Sequence, residues 1–252
     1  MKVTSIKTHK ITGSDRDILA VLDKYLPDIK EGSIIAVTSK IVALCEGRVL
    51  PVEGTDKDKL IQEEADLYMP RQENAYNFFM TITRGMLAPS AGIDESNVKD
   101  VYVLWPKNAM DSASRIREHL GKTRSLRHLG VVITDSVSRP LRWGVTGVGL
   151  AHSGFLALND YRGTEDLFGR KLRVSQASVI DGISAAAVLA MGEGSEQTPI
   201  AVLEDIPFVQ FQDRNPTQEE IEALRIDIEK DLYGSILKRA PWQEGGHGKK
   251  EI

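Results

Sequence analysis

Apolar residues recur at helical spacing early in the chain. Across residues 14–26, Ile18, Leu19, Leu22, Tyr25 and Leu26 fall on one face, Ser14 can cap the start and Pro27 stops the run. A short β-branched run, SIIAVT at 33–38, follows Gly32 and reads as a buried strand. Residues 57–68 read as a second helix, ended by Pro70. The segment NFFMTITRGML at 77–87 alternates in part and contains Arg84-Gly85, which predicts a hairpin. A strand is predicted at 101–105. An amphipathic helix follows at 109–120, with Ala113, Ile116 and Leu120 inward and Gly121 at its stop. LGVVIT at 129–134 reads as another buried strand, whose end delivers Asp135.

Small residues dominate the next stretch, RPLRWGVTGVGLAHSGF at 139–155. Gly144, Gly147, Gly149 and Gly154 are hard to justify in a plain strand, where glycine is destabilising, so close approach to a ligand or to another strand is expected. DGISAAAVLAM at 181–191 predicts a tightly packing helix, and 198–203 a strand. Neither 144–154 nor 181–191 has bulky side chains to build a core alone, so packing against a second subunit, as a homodimer, is expected. Thr217 and Glu220 form a capping box, and Ile221, Leu224, Ile228 and Leu232 make the inner stripe of a long helix. GGHGKKEI at 245–252 reads as a disordered tail. No repeat or linker interrupts 1–244, which reads as one domain or as two intertwined subdomains. Strict βαβ alternation is missing, so the fold class expected is α+β, with mixed sheets and helices.

Composition narrows the function classes. The 252 residues carry a net charge of −4, against the basic excess of a general nucleic-acid or membrane-surface binder. At 41% hydrophobic and 27% charged, the chain has the composition of a globular protein. Its one cysteine, Cys45, cannot form an internal disulfide. The opening MKVTSIKTHKI lacks the apolar core of a signal peptide, and no run approaches the length needed to span a bilayer. A cytoplasmic protein without nucleic-acid or membrane partners is expected.

Four spots carry candidate chemistry. AGIDESN at 91–97 puts a carboxylate, a hydroxyl and an amide on one turn, a set that suits Mg²⁺ or Mn²⁺ with phosphates attached and equally suits an Asx-turn capped by Asp94. Thr134-Asp135-Ser136 follows an apolar strand, where ligands gather in parallel sheets, and also reads as a simple strand-end turn. In MGEGSE at 191–196, glycines flank Glu193; backbone could approach phosphate while Glu193 reaches a metal, although a helix C-cap accounts for Gly192 alone. Arg139, Arg142, Arg162, Arg170 and Lys171 are cations that could bind phosphates or carboxylates, or sit scattered on the surface. The chain contains no GxxxxGK[ST] loop and no GxGxxG fingerprint, and a zinc site of a common kind is not expected. His152 reads as structural.

Six stretches, in order, give the chain a likeness: VTSKIVALCEGR (37–48), AGIDESNV (91–98), GVVITDS (130–136), RPLRWGVTGVGLAHSGF (139–155), DYRGTEDLFGRKLRV (160–174) and DGISAAAVLAMGEG (181–194). Together they resemble the coenzyme F420-0:γ-glutamyl ligase family. The resemblance implies a mixed α+β homodimer. It implies GTP (or ATP) as co-substrate, Mg²⁺ or Mn²⁺, and K⁺ as a further candidate cation. A terminal carboxylate is activated as an acyl phosphate, and the amine of L-glutamate attacks it to make an amide. By the same resemblance, Asp94, Asp135, Ser136 and Glu193 match metal positions. Ser39, Lys40, Asn97, Gly192 and Gly194 match nucleotide contacts, with a further contact within 11–14, and Arg139, Arg142 and Arg162 are candidates for the acidic substrates. No residue is identified as the base that takes the amine proton.

Two departures bear on substrate choice. The family's usual lysine shortly before Glu46-Gly47 is Leu44 here, and a loop of the TDTxGR type reads TDSVSR, with Ser138 in the glycine's place. They keep GTP against ATP open, and F420-0 against a folate, the acceptor of some bacterial relatives; the chain looks closer to that bacterial branch than to the archaeal type, and both acceptors stay open. A non-catalytic deazaflavin- or pterin-binding protein of the same fold is the other class; three retained carboxylates argue against it, because buried charge without a cation is destabilising.

Overall fold

The computed structural model describes residues 1–248. In chain order the first elements are β1 (Lys2–Ile6), α1 (Ile18–Tyr25), β2 (Ser33–Thr38), α2 (Ser39–Glu46), β3 (Val49–Pro51), α3 (Lys57–Glu64) and β4 (Leu67–Met69). Next come β5 (Met80–Thr83), β6 (Met86–Pro89), β7 (Val101–Val103), α4 (Ala109–Arg124), β8 (Leu129–Ser138) and β9 (Val145–Ser153). The remainder is β10 (Leu158–Asp160), β11 (Gln176–Ser178), α5 (Val179–Met191), β12 (Ile200–Glu204), α6 (Gln218–Glu222), α7 (Gly234–Leu237) and β13 (Gln243–Glu244). The class is α+β, with sheets of mixed and antiparallel pairing. Among the described residues no helix is long and apolar enough to cross a membrane.

The chain divides into two compact units, each assembled from separate stretches. One comprises Met1–Lys10, Asp17–Val42 and Asn108–Leu224, and the other Ile11–Arg16, Ala43–Lys107 and the chain from Arg225 on. The first holds a five-stranded sheet in the order β1-β12-β2-β8-β9. Its β2 and β8 run parallel, with Thr38 opposite Thr134, and the other pairs are antiparallel. Helix α5 covers one face, where Ile34, Ala36, Val132 and Leu203 meet Ile180, Ile183, Ala187 and Met191. Ile35, Val37, Val131 and Ile133 point to the other face by strand alternation and are fully buried as well. Helix α4 packs on β8 and β9 through Ala113, Ile116 and Leu120, the stripe read from the sequence.

The second unit has an antiparallel sheet in the order β13-β4-β5-β6, a β3-β7 pair, and a core of Leu60, Ile61, Phe79, Ile93, Tyr102 and Leu104. Its β5–β6 hairpin turns at Arg84 and Gly85, both with positive φ, as the primed hairpin turns require. In the same unit, Arg48 and Glu64 form a buried ion pair at 2.8 Å.

Five expectations need correction. Ser14 does not cap α1: its hydroxyl bonds Thr12 in a turn, and Asp17 accepts the Leu19 amide instead. The predicted helix at 57–68 ends at Glu64, because Leu67 pairs with Ile82 in a strand. Helix α4 runs through Gly121 and stops where Ser125 turns left-handed, φ 55°. The long helix after Thr217 lasts only five residues, although its capping box is present. The chain leaves the first unit after Leu224, so the sequence stripe has no single surface to cover, and Leu232 is 86% exposed. The tail expected to be disordered is held as far as Gly248. The amides of Gly245, Gly246, His247 and Gly248 bond the carbonyls of Asp66, Gln62, Ala65 and Glu63. The rest of that expectation, residues 249–252, lies outside the described residues.

Candidate functional site

The parallel pair organises the first unit's candidates. Pairing between β2 and β8 ends at Thr38 and Thr134, so Ser39-Lys40 and Asp135-Ser136 follow the same, carboxyl-terminal edge of the parallel pair. Ser39 is buried at the start of α2. The connection from α5 to β12 arrives at this edge too: the Thr38 amide bonds the Pro199 carbonyl at 3.0 Å, and Thr198 Oγ1 bonds the Met191 carbonyl. In parallel sheets this edge is where ligands gather.

Asp135 does not lie beyond the strand, as the sequence reading has it. It lies inside β8, which shifts register between Ile133 and Thr134 and continues antiparallel to β9, Asp135 opposite Val148 and Ser136 opposite Gly147. Ser136 joins the two carboxylates. Its amide donates to Asp135 Oδ1 at 2.8 Å and its hydroxyl to Glu193 Oε2 at 3.2 Å.

That junction depends on glycine. A Cβ on Gly147 would stand 2.3 Å from the Ser184 carbonyl oxygen, and one on Gly149 the same distance from Ile180 Cγ1. The small residues of β9 therefore let α5 lie against the strand, and α5 ends at Gly192, φ 82°, one residue before Glu193. The expected close approach is real, but its partner is a helix of the same chain.

The loop after α5 folds onto itself. Gly194 N–H donates to Glu196 Oε2 at 2.8 Å, and a Cβ on Gly192 would stand 2.7 Å from Glu196 Cδ. Sequence reading gave Glu196 no part in this loop; its one signal was a second carboxylate two residues after Gly194. Two buried hydroxyls near this edge, Thr134 Oγ1 and Ser184 Oγ, have no hydrogen-bond partner among the described residues. His152 is buried, its Nδ1 also lacks a partner, and burial pushes its pKa down to about 4.

Asp94 and Asn97 belong to the second unit. The Asp94 backbone pairs with Val103, and its carboxylate accepts the Ser96 amide at 2.7 Å and the Ser96 hydroxyl at 2.9 Å, an Asx-turn. Asn97 is left-handed at φ 57°. Gly92 before them packs under Trp105, whose ring a Cβ would meet at 2.2 Å. The basic candidates sit on two separate connections. Arg139 and Arg142 are exposed between β8 and β9, with Leu141 and Trp143. Arg162 lies between β10 and β11 and is bound to Asp160 at 2.5 Å, an ion pair that lowers the Asp160 pKa to about 2.

Among the described residues, no three His, Cys, Asp or Glu side chains form a metal-holding group. Asp135, Ser136 and Glu193 nevertheless make an oxygen-only set of two carboxylates and a hydroxyl, which is the donor chemistry of Mg²⁺ or Mn²⁺.

Sequence comparison supplies the context. The family model described as F420-0:Gamma-glutamyl ligase matches residues 3–205. The chain belongs to the F420-0:γ-glutamyl ligase family. It is similar to proteins named coenzyme F420:L-glutamate ligase. One from Methanocaldococcus jannaschii is 30% identical over 246 residues, covering 88% of this chain and 96% of that protein. One from Halorubrum lacusprofundi is 34% identical over 218 residues, 76% and 82% of the two chains, and one from Methanosarcina barkeri 32% over 222 residues, 81% and 86%. The span that matches the F420-0:γ-glutamyl ligase family contains every candidate metal and nucleotide residue, whereas α6, α7 and β13 follow it.

Proposed function

We propose that this protein is a ligase that joins L-glutamate, through an amide bond, to the terminal carboxylate of coenzyme F420-0. One observation carries the reading: Ser136 ties Asp135 to Glu193 at the ligand-gathering edge of the parallel pair, beside a glycine loop, in a member of this family.

A carboxylate resists attack by an amine until it carries a leaving group. In the proposed sequence an acceptor carboxylate oxygen attacks the γ-phosphorus of GTP or ATP, and nucleoside diphosphate leaves. The neutral amine of glutamate then attacks the acyl carbon. Inorganic phosphate leaves with the electron pair of the broken C–O bond, and the amine nitrogen gives up a proton. Gly192 and Gly194 offer backbone that phosphate oxygens can approach, and Ser39 and Lys40 lie at the same edge. Asp135, Ser136 and Glu193 are the residues to hold Mg²⁺ or Mn²⁺, and the cation supplies charge neutralisation on the phosphates when bound. Asp94 and Asn97 stay candidates through family resemblance, as do Arg139, Arg142 and Arg162 for the acidic substrates. A homodimer is proposed on that resemblance alone, since the small residues of β9 and α5 pack on each other.

The test is mass spectrometry of separate incubations with GTP or ATP, Mg²⁺ or Mn²⁺, glutamate, and either F420-0 or a reduced folate. A glutamate adduct of F420-0 with nucleoside diphosphate and phosphate is expected. An adduct of the folate alone would move the acceptor, pyrophosphate formed in step with ligation would refute the acyl phosphate, and a non-catalytic binder would show no glutamate-dependent nucleotide turnover.

A further inference from the structure

The glycine loop already holds an anion. Glu196 turns back so that Oε2 accepts the Gly194 amide at 2.8 Å. Its carboxylate fills the space that side chains at 192 and 194 would need: a Cβ on Gly192 would stand 2.9 Å from Oε2, and one on Gly194 3.0 Å from Oε1. Glu193, three residues before it, accepts the Ser136 hydroxyl at 3.2 Å. The loop thus presents backbone donor and glycine-lined space to one carboxylate while its other carboxylate reaches the proposed cation set.

We infer that Glu196 is an internal competitor for a nucleotide phosphate, occupying the Gly192–Gly194 loop until a phosphate group displaces it. The inference rests on the proposed nucleotide role of this loop and names a residue that sets affinity there. Two effects act in one direction. An incoming phosphate must displace the carboxylate from the Gly194 amide, and it must approach a negative charge in the place it takes. Glu196 therefore weakens nucleotide binding without touching the reacting atoms, and it refills the loop as phosphate leaves. It is a positioning residue, exposed to solvent, so its replacement leaves the core intact.

The experiment is calorimetric titration of GTP, ATP and tripolyphosphate, each with Mg²⁺, into the full chain and its Glu196→Ala and Glu196→Gln variants, followed by steady-state ligation. Loss of one charge-assisted hydrogen bond in a solvated loop sets the scale. Glu196→Ala is expected to bind nucleotide and tripolyphosphate about fivefold more tightly, with a KM lowered to match, kcat within about twofold, and stronger inhibition by nucleoside diphosphate. Glu196→Gln, which keeps the shape and loses the charge, should fall between. Unchanged or weaker binding by both variants, with wild-type binding intact, overturns the inference and leaves the ligase reading standing. A raised Mg²⁺ requirement in Glu196→Gln overturns it in favour of a metal ligand. No binding by any of the three proteins overturns the nucleotide reading and this inference with it.

Discussion

Ser136 is a hinge between two acids, its amide on Asp135 and its hydroxyl on Glu193. Asp135→Asn is expected to keep the fold and lose about 100-fold or more in ligation rate, because it removes charge proposed to hold a cation beside the phosphates. Near-normal turnover in a folded variant would sink the metal assignment. Ser136→Ala should cost less, about tenfold, through the loss of the link alone. His152 is expected to contribute to acid sensitivity. Burial lowers its pKa from 6.5 to about 4, so the unfolded chain takes a proton that the folded chain refuses. Stability should fall as pH drops from 6.5 towards 4, by up to roughly 3 kcal/mol. Below that, Asp160 and Glu220, both lowered to about 2 by arginine partners, lose their contribution as they protonate. Thermal melts should show His152→Gln less sensitive than wild type between pH 6.5 and 4; an unchanged pH slope would remove His152 from the account. The sequence singled out Asp135 and Glu193 because an acid after an apolar run and an acid between glycines are local patterns, and Ser136 bonds both of them in the structure. Glu196 was not singled out, since nothing in its spacing reveals that it folds back on Gly194.

At the scale of elements, β9 and α5 form a joint that positions the site. Gly147→Ala would place a methyl group 2.3 Å from a backbone oxygen of α5, which cannot yield as a side chain can. Destabilisation of about 2–3 kcal/mol is expected in chemical denaturation, with ligation lost beyond that share because Glu193 moves off Ser136. If Gly147→Ala matches wild type in both measurements, α5 does not depend on this contact. The buried strand at 33–38, the hairpin at Arg84-Gly85 and the inner face of α4 were readable because their periodicity reports one continuous surface. The stripe from Ile221 to Leu232 misled for the converse reason: helical spacing persists across a point where the chain passes between units. The glycines of 139–155 announced a close approach without naming its partner, which the structure shows to be α5, packed against Gly147 and Gly149.

For the molecule as a whole, the proposed assembly is a homodimer. Light scattering at micromolar concentration is expected to give the mass of a homodimer, and a monomer there would withdraw the proposal. The two-unit division could not be read from composition, because each unit is built from separated stretches and no linker marks a boundary. The segment around Gly245 was misread for a related reason. Glycines that look like slack are what allow the backbone to lie on α3: a Cβ on Gly245 would stand 2.1 Å from the Ala65 carbonyl oxygen. This late docking has a consequence for synthesis. Strand β4 is made well before its neighbour β13, and about 170 residues separate them in the order of translation. At ribosomal speeds that interval is on the order of ten seconds or more. Throughout it, one side of β4 and the last carbonyls of α3 have no partner from this chain. A ribosome that stalls, or a message that stops before residue 243, would leave that edge open to strands of other nascent chains.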